Sequence, residues 1–313
     1  ARNQIGPRGS GALEPNSEED LSGHTTHVLP SRNLRVLFSL ISIMISMMIF
    51  KNLYVMSKKN EWMRLGIAEF SLPGQGLEEK LETAERERLW VEVANEGVPW
   101  KFWRWKSLLP SYNVRVRSVQ AFLQHQLSLL SRSEVERRAA LNHVVQTIEL
   151  ASVLSAEHVV VVLCYGEPGV EDADGESVRA LREMAEMAEE AEITLGLEPL
   201  DRVRTSYRPT VEAVWEIVKL VNSDHLKLMI DTGHVWTNGE NVVEVLERFG
   251  DVASEIHLKD SESKAPGLGV LDFGPVVESC KKTKGLKCLE YRPGPDPVAE
   301  FEKALQTVAK LRQ

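Results

Sequence analysis

The sequence is short of several features that would fix a protein's class at once. Its 313 residues hold only 3 cysteines, Cys164, Cys280 and Cys288. That is too few and too scattered for a disulfide framework or a cysteine-type zinc site. Cys164 and Cys288 fall in apolar, strand-like runs and read as core residues, so the compartment is expected to be reducing and cytoplasmic. Positive charge is not concentrated anywhere. Against 37 Lys and Arg stand 46 Asp and Glu, for a net charge of −9. Nucleic-acid affinity depends on clustered Lys and Arg, so no nucleic-acid partner is expected. The Gly-rich phosphate fingerprint of an open doubly wound sheet is missing after the first strand-like run. "LPGQG" (72–76) comes closest and reads as a turn. A long apolar run is lacking too. The longest, "VLFSLISIMISMMIF" from Val36 to Phe50, falls short of the roughly 20 residues a spanning helix needs.

That run belongs to an N-terminal region unlike the rest. Residues 1–33 are rich in Gly, Pro, Ser and Asn and poor in aliphatic side chains, so they cannot bury enough apolar surface to fold alone. The apolar run could be a signal anchor, an interfacial or packing helix, or upstream sequence outside the working protein, with Met56 as the natural start. The abrupt change in composition favours the last. Residues 1–60 are therefore set apart as an extension, and membrane contact is expected only if residues 36–56 are native. The folded unit is taken as 61–313.

What is present from Glu61 onward is a regular alternation of short apolar runs and amphipathic stretches. The runs are "MRLGIAEF" (63–70), "LWVEVA" (89–94), "VRVRSVQAF" (114–122), "HVVVVLCY" (158–165), "ITLGLEPL" (193–200), "HLKLMID" (225–231), "ASEIHLK" (253–259) and "GLKCLEY" (285–291). Near-continuous Val, Ile and Leu marks parallel strands buried on both faces. Between them, stretches such as "SEVERRAALNHVVQTIELASVL" carry apolar residues at helical spacing behind a capping signal at Ser133. Eight such units in roughly 250 residues predict an α/β fold of the (β/α)8 TIM barrel type. The second unit is the weakest, because "GVPWKFWRWKSLLP" takes the place of a clear helix.

A TIM barrel builds its site at the C-terminal ends of the strands. Four consecutive runs end there in a residue able to bind a metal: Glu198, Asp231, His257 and Glu290. One carboxylate after a strand is usually a helix cap or a surface ion. Three buried together with an imidazole are unfavourable without a cation, because desolvation and mutual repulsion both oppose ionisation. One divalent ion resolves the conflict. The donor set suits Mn²⁺ or Mg²⁺, with Co²⁺ or Zn²⁺ compatible.

"LEPLDR", "DTGH", "HLKD" and "LEYRPG", together with "GIAEFSLPG", "VVQTIELASVLSAEHVVVV" and "PGLGVLDFGPV", resemble the xylose-isomerase-like TIM-barrel family over about residues 62–313. That family contains sugar and sugar-phosphate isomerases and epimerases and the endonuclease IV branch. The resemblance implies a mononuclear metal site on Glu198, Asp231, His257 and Glu290. It makes Glu198 and Glu290 the acid/base pair and His234 a substrate contact. The implied reaction removes a proton beside a metal-bound carbonyl through an enediolate. The product would be an isomer or epimer, or a dehydrated sugar if a β-hydroxyl leaves. Lys259, two residues after His257, should point the same way and contact a substrate hydroxyl or phosphate. The partner is then a small sugar or sugar phosphate. Family members are often dimers or tetramers, so a homo-oligomer is compatible with this reading.

Departures matter as well. Gln120 and Cys164 stand near where a trinuclear nuclease site would place histidines, and "LKDSESKAPGLG" after His257 lacks the corresponding Asp-Arg-His motif. An endonuclease IV-like site is therefore incomplete. Ketose 3-epimerases carry an Arg six residues after the strand-seven His, where this chain has Ser263 followed by Lys264. Trp100, Phe102, Trp103 and Trp105 could wall a sugar pocket or pack on the barrel, and Arg202, Arg204 and Arg208 follow the fifth strand as candidate phosphate contacts.

Overall fold

The computed structural model describes residues 64–312. The expectations for residues 1–60, including the apolar run, lie outside the described residues. Eight parallel strands close into one barrel in sequence order. They are β1 (Leu65–Ala68), β2 (Trp90–Ala94), β3 (Val116–Gln120), β4 (His158–Val161), β5 (Thr194–Leu197), β6 (Leu226–Asp231), β7 (Ala253–Leu258) and β8 (Leu286–Leu289). Closure is made by β1 on β8, with Gly66 opposite Cys288 and Ile67 opposite Leu289. Each strand lies inside its predicted run and is shorter, the run also carrying flanking residues at one end or both.

The outer ring begins with α1 (Leu77–Glu87) and α2 (Pro99–Leu108). The α2 segment is the weak unit, and it is a helix after all. Pro99 starts it where a missing N–H does no harm. Phe102 and Trp105, three residues apart, are buried at 0% and 1% exposure, while Trp100 and Trp103 are 65% and 60% exposed. The aromatic motif is thus a half-buried helix face on the outside of the barrel and walls no sugar pocket. Its aromatic crowding hid an ordinary i, i+3 pattern. The ring continues with α3 (Glu134–Leu154), α4 (Ala173–Glu190), α5 (Val211–Val221), the short α6 (Thr232–Thr237), α7 (Val242–Phe249), α8 (Phe273–Cys280) and α9 (Pro297–Thr307). Ser133 caps α3 as predicted, accepting from Glu136 N. Among the described residues no helix is long and apolar enough to cross a membrane.

The main apolar core lies between strands and helices. Inside the barrel there is little apolar filling. Trp90 and Cys288, with Leu286 against them, form a small separate cluster. Gly66 makes room for it: a Cβ there would lie 2.2 Å from the Trp90 ring. Above this plug the interior turns polar. A Gly66→Ala substitution is expected to lower stability by about 1–3 kcal/mol through overpacking, read from urea unfolding, and Trp90→Phe in the same chain should recover part of the loss. An unchanged midpoint would show that the ring has room to move.

Candidate metal centre and active site

The four predicted strand-end residues converge at the C-terminal mouth. Asp231 ends β6 directly opposite His257 of β7. Glu198 follows β5 and is held by its backbone N–H on Val161 O at 2.9 Å, and Glu290 follows β8, tied to Leu258 O at 3.3 Å. Ligand atoms of Glu198, Asp231 and His257 all lie within 4.8 Å of one another. His257 Nδ1 is 3.9 Å from Asp231 Oδ2 and 4.0 Å from Glu290 Oε2.

Asp231 divides its two oxygens. Oδ1 caps α6, accepting from Gly233 N at 2.8 Å and His234 N at 2.9 Å. Oδ2 is buried without a hydrogen-bond partner, and so is His257 Nδ1. Lys259 Nζ lies 2.7 Å from that Oδ2 and forms an ion pair with it. Buried polar atoms are nearly always partnered. An Asp231 oxygen already holding one cation and an orphaned imidazole nitrogen 3.9 Å from it, beside two further carboxylates, fit a divalent ion, with oxygen donors and one nitrogen as Mn²⁺, Mg²⁺ or Zn²⁺ accept.

A polar layer beneath sets the imidazole. His257 Nε2 is 3.1 Å from Glu92 Oε1, which turns Nδ1 toward the mouth. Ser118 Oγ donates to Glu92 at 2.9 Å and alternatively to Glu255 at 2.8 Å. Gln120 Nε2 donates to Glu92 at 2.6 Å. His158 Nδ1 lies 2.7 Å from Glu255 Oε2, and its Nε2 lies 2.8 Å from Ser254 Oγ. Burial would drive His257 neutral, yet Glu92 and Glu255 hold its pKa well above the ordinary imidazole value. Burial pushes Glu92 up. It would do the same to Glu255, but His158 holds that carboxyl well below its usual range. Ligand atoms of Glu92, Glu255, His257 and Cys288 are also close enough for a metal. The carboxylates there are already engaged, however, Glu92 by Ser118, Gln120 and His257 and Glu255 by Ser118 and His158. The layer therefore reads as support for His257. Sequence reasoning missed Glu92, Ser118, His158 and Glu255. For Glu92 and Glu255 the signal was a charged residue inside a buried run, and for Glu255 also the two-residue spacing to His257.

His234 and Lys259 reach the same mouth. His234 Nδ1 is 2.6 Å from Asp201 Oδ2, and its Nε2 is 3.6 Å from Glu198 Oε1. Asp201, also missed, is fully buried and pairs with Arg204. Burial would raise its pKa, but His234 and Arg204 hold it at about 2. Glu198 is pushed up to about 7 by burial, partly offset by His234 and His257. Lys259 pairs with Asp231 and with Glu290, the latter at 2.6 Å. Gln120 is spent on Glu92, and Cys164 Sγ sits 3.6 Å from Thr205 Oγ1. Of the three loop arginines Arg204 lines the cavity, while Arg208 pairs with Asp174.

Glu198, Arg204, His234, Lys259 and Glu290 form one wall of a cavity of about 380 Å³. The facing wall is aromatic. Phe70 and Phe122 have ring centroids 6.2 Å apart, Phe122 and His125 5.0 Å, and His125 and Tyr165 6.5 Å.

Comparison with known proteins places the fold and the family. Residues 90–311 match the profile of the xylose isomerase-like TIM barrel. A D-psicose 3-epimerase of Enterocloster bolteae is 30% identical over 105 residues, covering 34% of this chain and 35% of that protein. The chain thus aligns with about a third of that relative's length. Among solved structures, the apo 3-keto-D-glucoside 4-epimerase of E. coli superposes with a TM-score of 0.70 at 18% identity, covering 80% of this chain and 99% of the other. The IOLI protein with a bound zinc atom superposes with a TM-score of 0.64 at 21% identity, covering 80% and 96%. At these identities the structural likeness is one of fold. The extent of the profile match, together with the closed barrel, decides the membership: the chain belongs to the xylose isomerase-like TIM barrel family.

Proposed function

We propose that the protein is a divalent-metal-dependent isomerase or epimerase of a sugar or sugar phosphate. One observation carries the reading: Asp231 Oδ2, met by an ammonium, and the unpartnered His257 Nδ1 are buried 3.9 Å apart beside Glu198 and Glu290. The profile match and the epimerase relative support it. Glu198, Asp231, His257 and Glu290 would hold the ion. When bound, Mn²⁺ or Mg²⁺, or Co²⁺ or Zn²⁺ in their place, supplies Lewis acidity toward a substrate carbonyl.

The chain's own groups account for the rest. Glu198 and Glu290 stand on β5 and β8, so they approach a bound sugar from different sides. One, ionised, takes the proton from the carbon beside the carbonyl, and the other, protonated beforehand, delivers its own. Return to the opposite face of the same carbon gives an epimer, and return to the neighbouring carbon gives an aldose–ketose pair. His234, whose Nδ1–H is held by Asp201, presents Nε2 to the mouth, from which its imidazolium form donates to the oxygen that gains charge. The Phe70–Phe122–Tyr165 wall covers the C–H face of the sugar and keeps bulk water from the reacting carbon.

Purified protein incubated with Mn²⁺ is expected to retain roughly one ion per chain by elemental analysis, and Asp231→Asn combined with Glu290→Gln to retain none. A wild type without specific metal sinks the reading. With a ketohexose panel in D₂O, Glu198→Gln or Glu290→Gln should each slow deuterium uptake about 10²–10⁴-fold at unchanged melting temperature; uptake at the wild-type rate would remove that residue from the proton path. Glu92→Gln should weaken Mn²⁺ binding about 10–100-fold, because it loosens the imidazole that presents Nδ1. Isothermal titration reads this directly, and unaltered affinity would reduce Glu92 to a packing role.

A further inference from the structure

Lys259 stands where a cation bound to Asp231 would have to go. Its Nζ is 2.7 Å from Asp231 Oδ2 and 2.6 Å from Glu290 Oε2, with the side chain 7% exposed. Asp231 Oδ1 is already taken by the backbone of α6, so Oδ2 is the one oxygen that Asp231 has to offer. The ammonium and a metal ion would compete for it.

The surroundings are shaped to hold this side chain and to let it go. The backbone of Lys259 is fixed on Thr232: its N–H donates to Thr232 Oγ1 at 2.9 Å, and its carbonyl accepts from the same hydroxyl at 2.7 Å. The aliphatic stem lies against Gly233, where a Cβ would come within 3.0 Å of Lys259 Cγ and 3.1 Å of Cε. Gly233 of the "DTGH" motif is thereby the floor of a channel for the lysine stem. Two cavities have Lys259 in their walls, the main one of about 380 Å³ and a smaller one of about 210 Å³ lined also by Gly233, His234 and Ser263. The ammonium has somewhere to move while its backbone stays.

We propose that Lys259 is the resident cation of the metal-free site, holding Asp231 and Glu290 together until a divalent ion displaces its ammonium into the main cavity, where it faces substrate. This rests on the metal-dependent reading above. Loading the site and presenting a cationic substrate contact then become one event. A substrate oxygen meets Lys259 only in a charged, metal-loaded site, which ties substrate affinity to metal occupancy.

Crystal structures of the wild type without and with Mn²⁺, together with Mn²⁺ titrations of wild type and Lys259→Met, test it. The expected results are an Nζ beyond hydrogen-bond reach of both Asp231 Oδ2 and Glu290 Oε2 in the loaded crystal, and Mn²⁺ binding to Lys259→Met tighter by at least about tenfold, or about 1.4 kcal/mol. Nζ keeping both contacts with Mn²⁺ bound overturns the proposal and leaves the metal-dependent function standing. Equal affinity in wild type and Lys259→Met overturns it likewise. The crystal comparison needs no variant, so it decides the matter even if Lys259→Met fails to fold. If neither protein binds Mn²⁺, the metal-dependent reading fails and this proposal with it.

Discussion

Everything at the mouth of the barrel depends on how one carboxylate, Asp231, is split between two duties. Its Oδ1 is the N-cap of α6, and this fixes where that short helix starts and therefore where His234 stands. Its Oδ2 is left for a cation. The local backbone and the chemistry are thus built on the same side chain. An Asp is suited to this where a Glu is not: with one methylene fewer, the carboxylate reaches the N–H groups two and three residues ahead, the usual reach of a cap. The second oxygen is then carried to a fixed point opposite His257 by the strand register.

Below that point the barrel is organised by depth. Trp90 over Gly66 plugs the interior, and this lets the next layer be polar without a route for water from below. In that layer Ser118 joins Glu92 on the neighbouring strand to Glu255 across the barrel, and His158 reaches across to the same Glu255. A partly satisfied polar network in a low-dielectric interior is worse than an apolar one, so its near-completeness has a meaning. It holds one ring, that of His257, in one orientation. The main stabilising core lies elsewhere, between strands and helices, which leaves the interior free to serve the site.

The fold was legible because parallel strands buried on both faces leave unmistakable apolar runs, and because eight of them alternate with helical spacing. The strand-end residues Glu198, Asp231, His257 and Glu290 were legible for a related reason: a charge that terminates an apolar run stands out, and topology alone places all four at one mouth. Glu92 and Glu255 were not, since a single charge in mid-run acquires meaning only when the register shows what it faces across the barrel. Asp201 was hidden in a loop whose turn cannot be read from "LEPLDR". In α2 the aromatic residues masked an ordinary amphipathic helix. Lys259 shows the limit most clearly. Alternation gives the direction of its side chain, but not that its charge would be spent on Asp231 and Glu290.

The electrostatics single out Glu198 among the mouth carboxylates. Asp231 and Glu290 each have an ammonium within ion-pair distance, and both are held below the usual carboxylate range despite their burial. Glu198 has only His234 Nε2 at 3.6 Å, and burial prevails, pushing it up to about 7. Such a carboxyl gains most from any cation added nearby, because the desolvation it has suffered is the least compensated. Asp231 and Glu290 hold Lys259, and Glu198 is left open to what enters the cavity. The asymmetry follows from which strands carry the lysine and its partners: Lys259 follows β7, between β6 and β8 in the barrel, so its ammonium reaches the carboxylates on either side and leaves that of β5 uncovered.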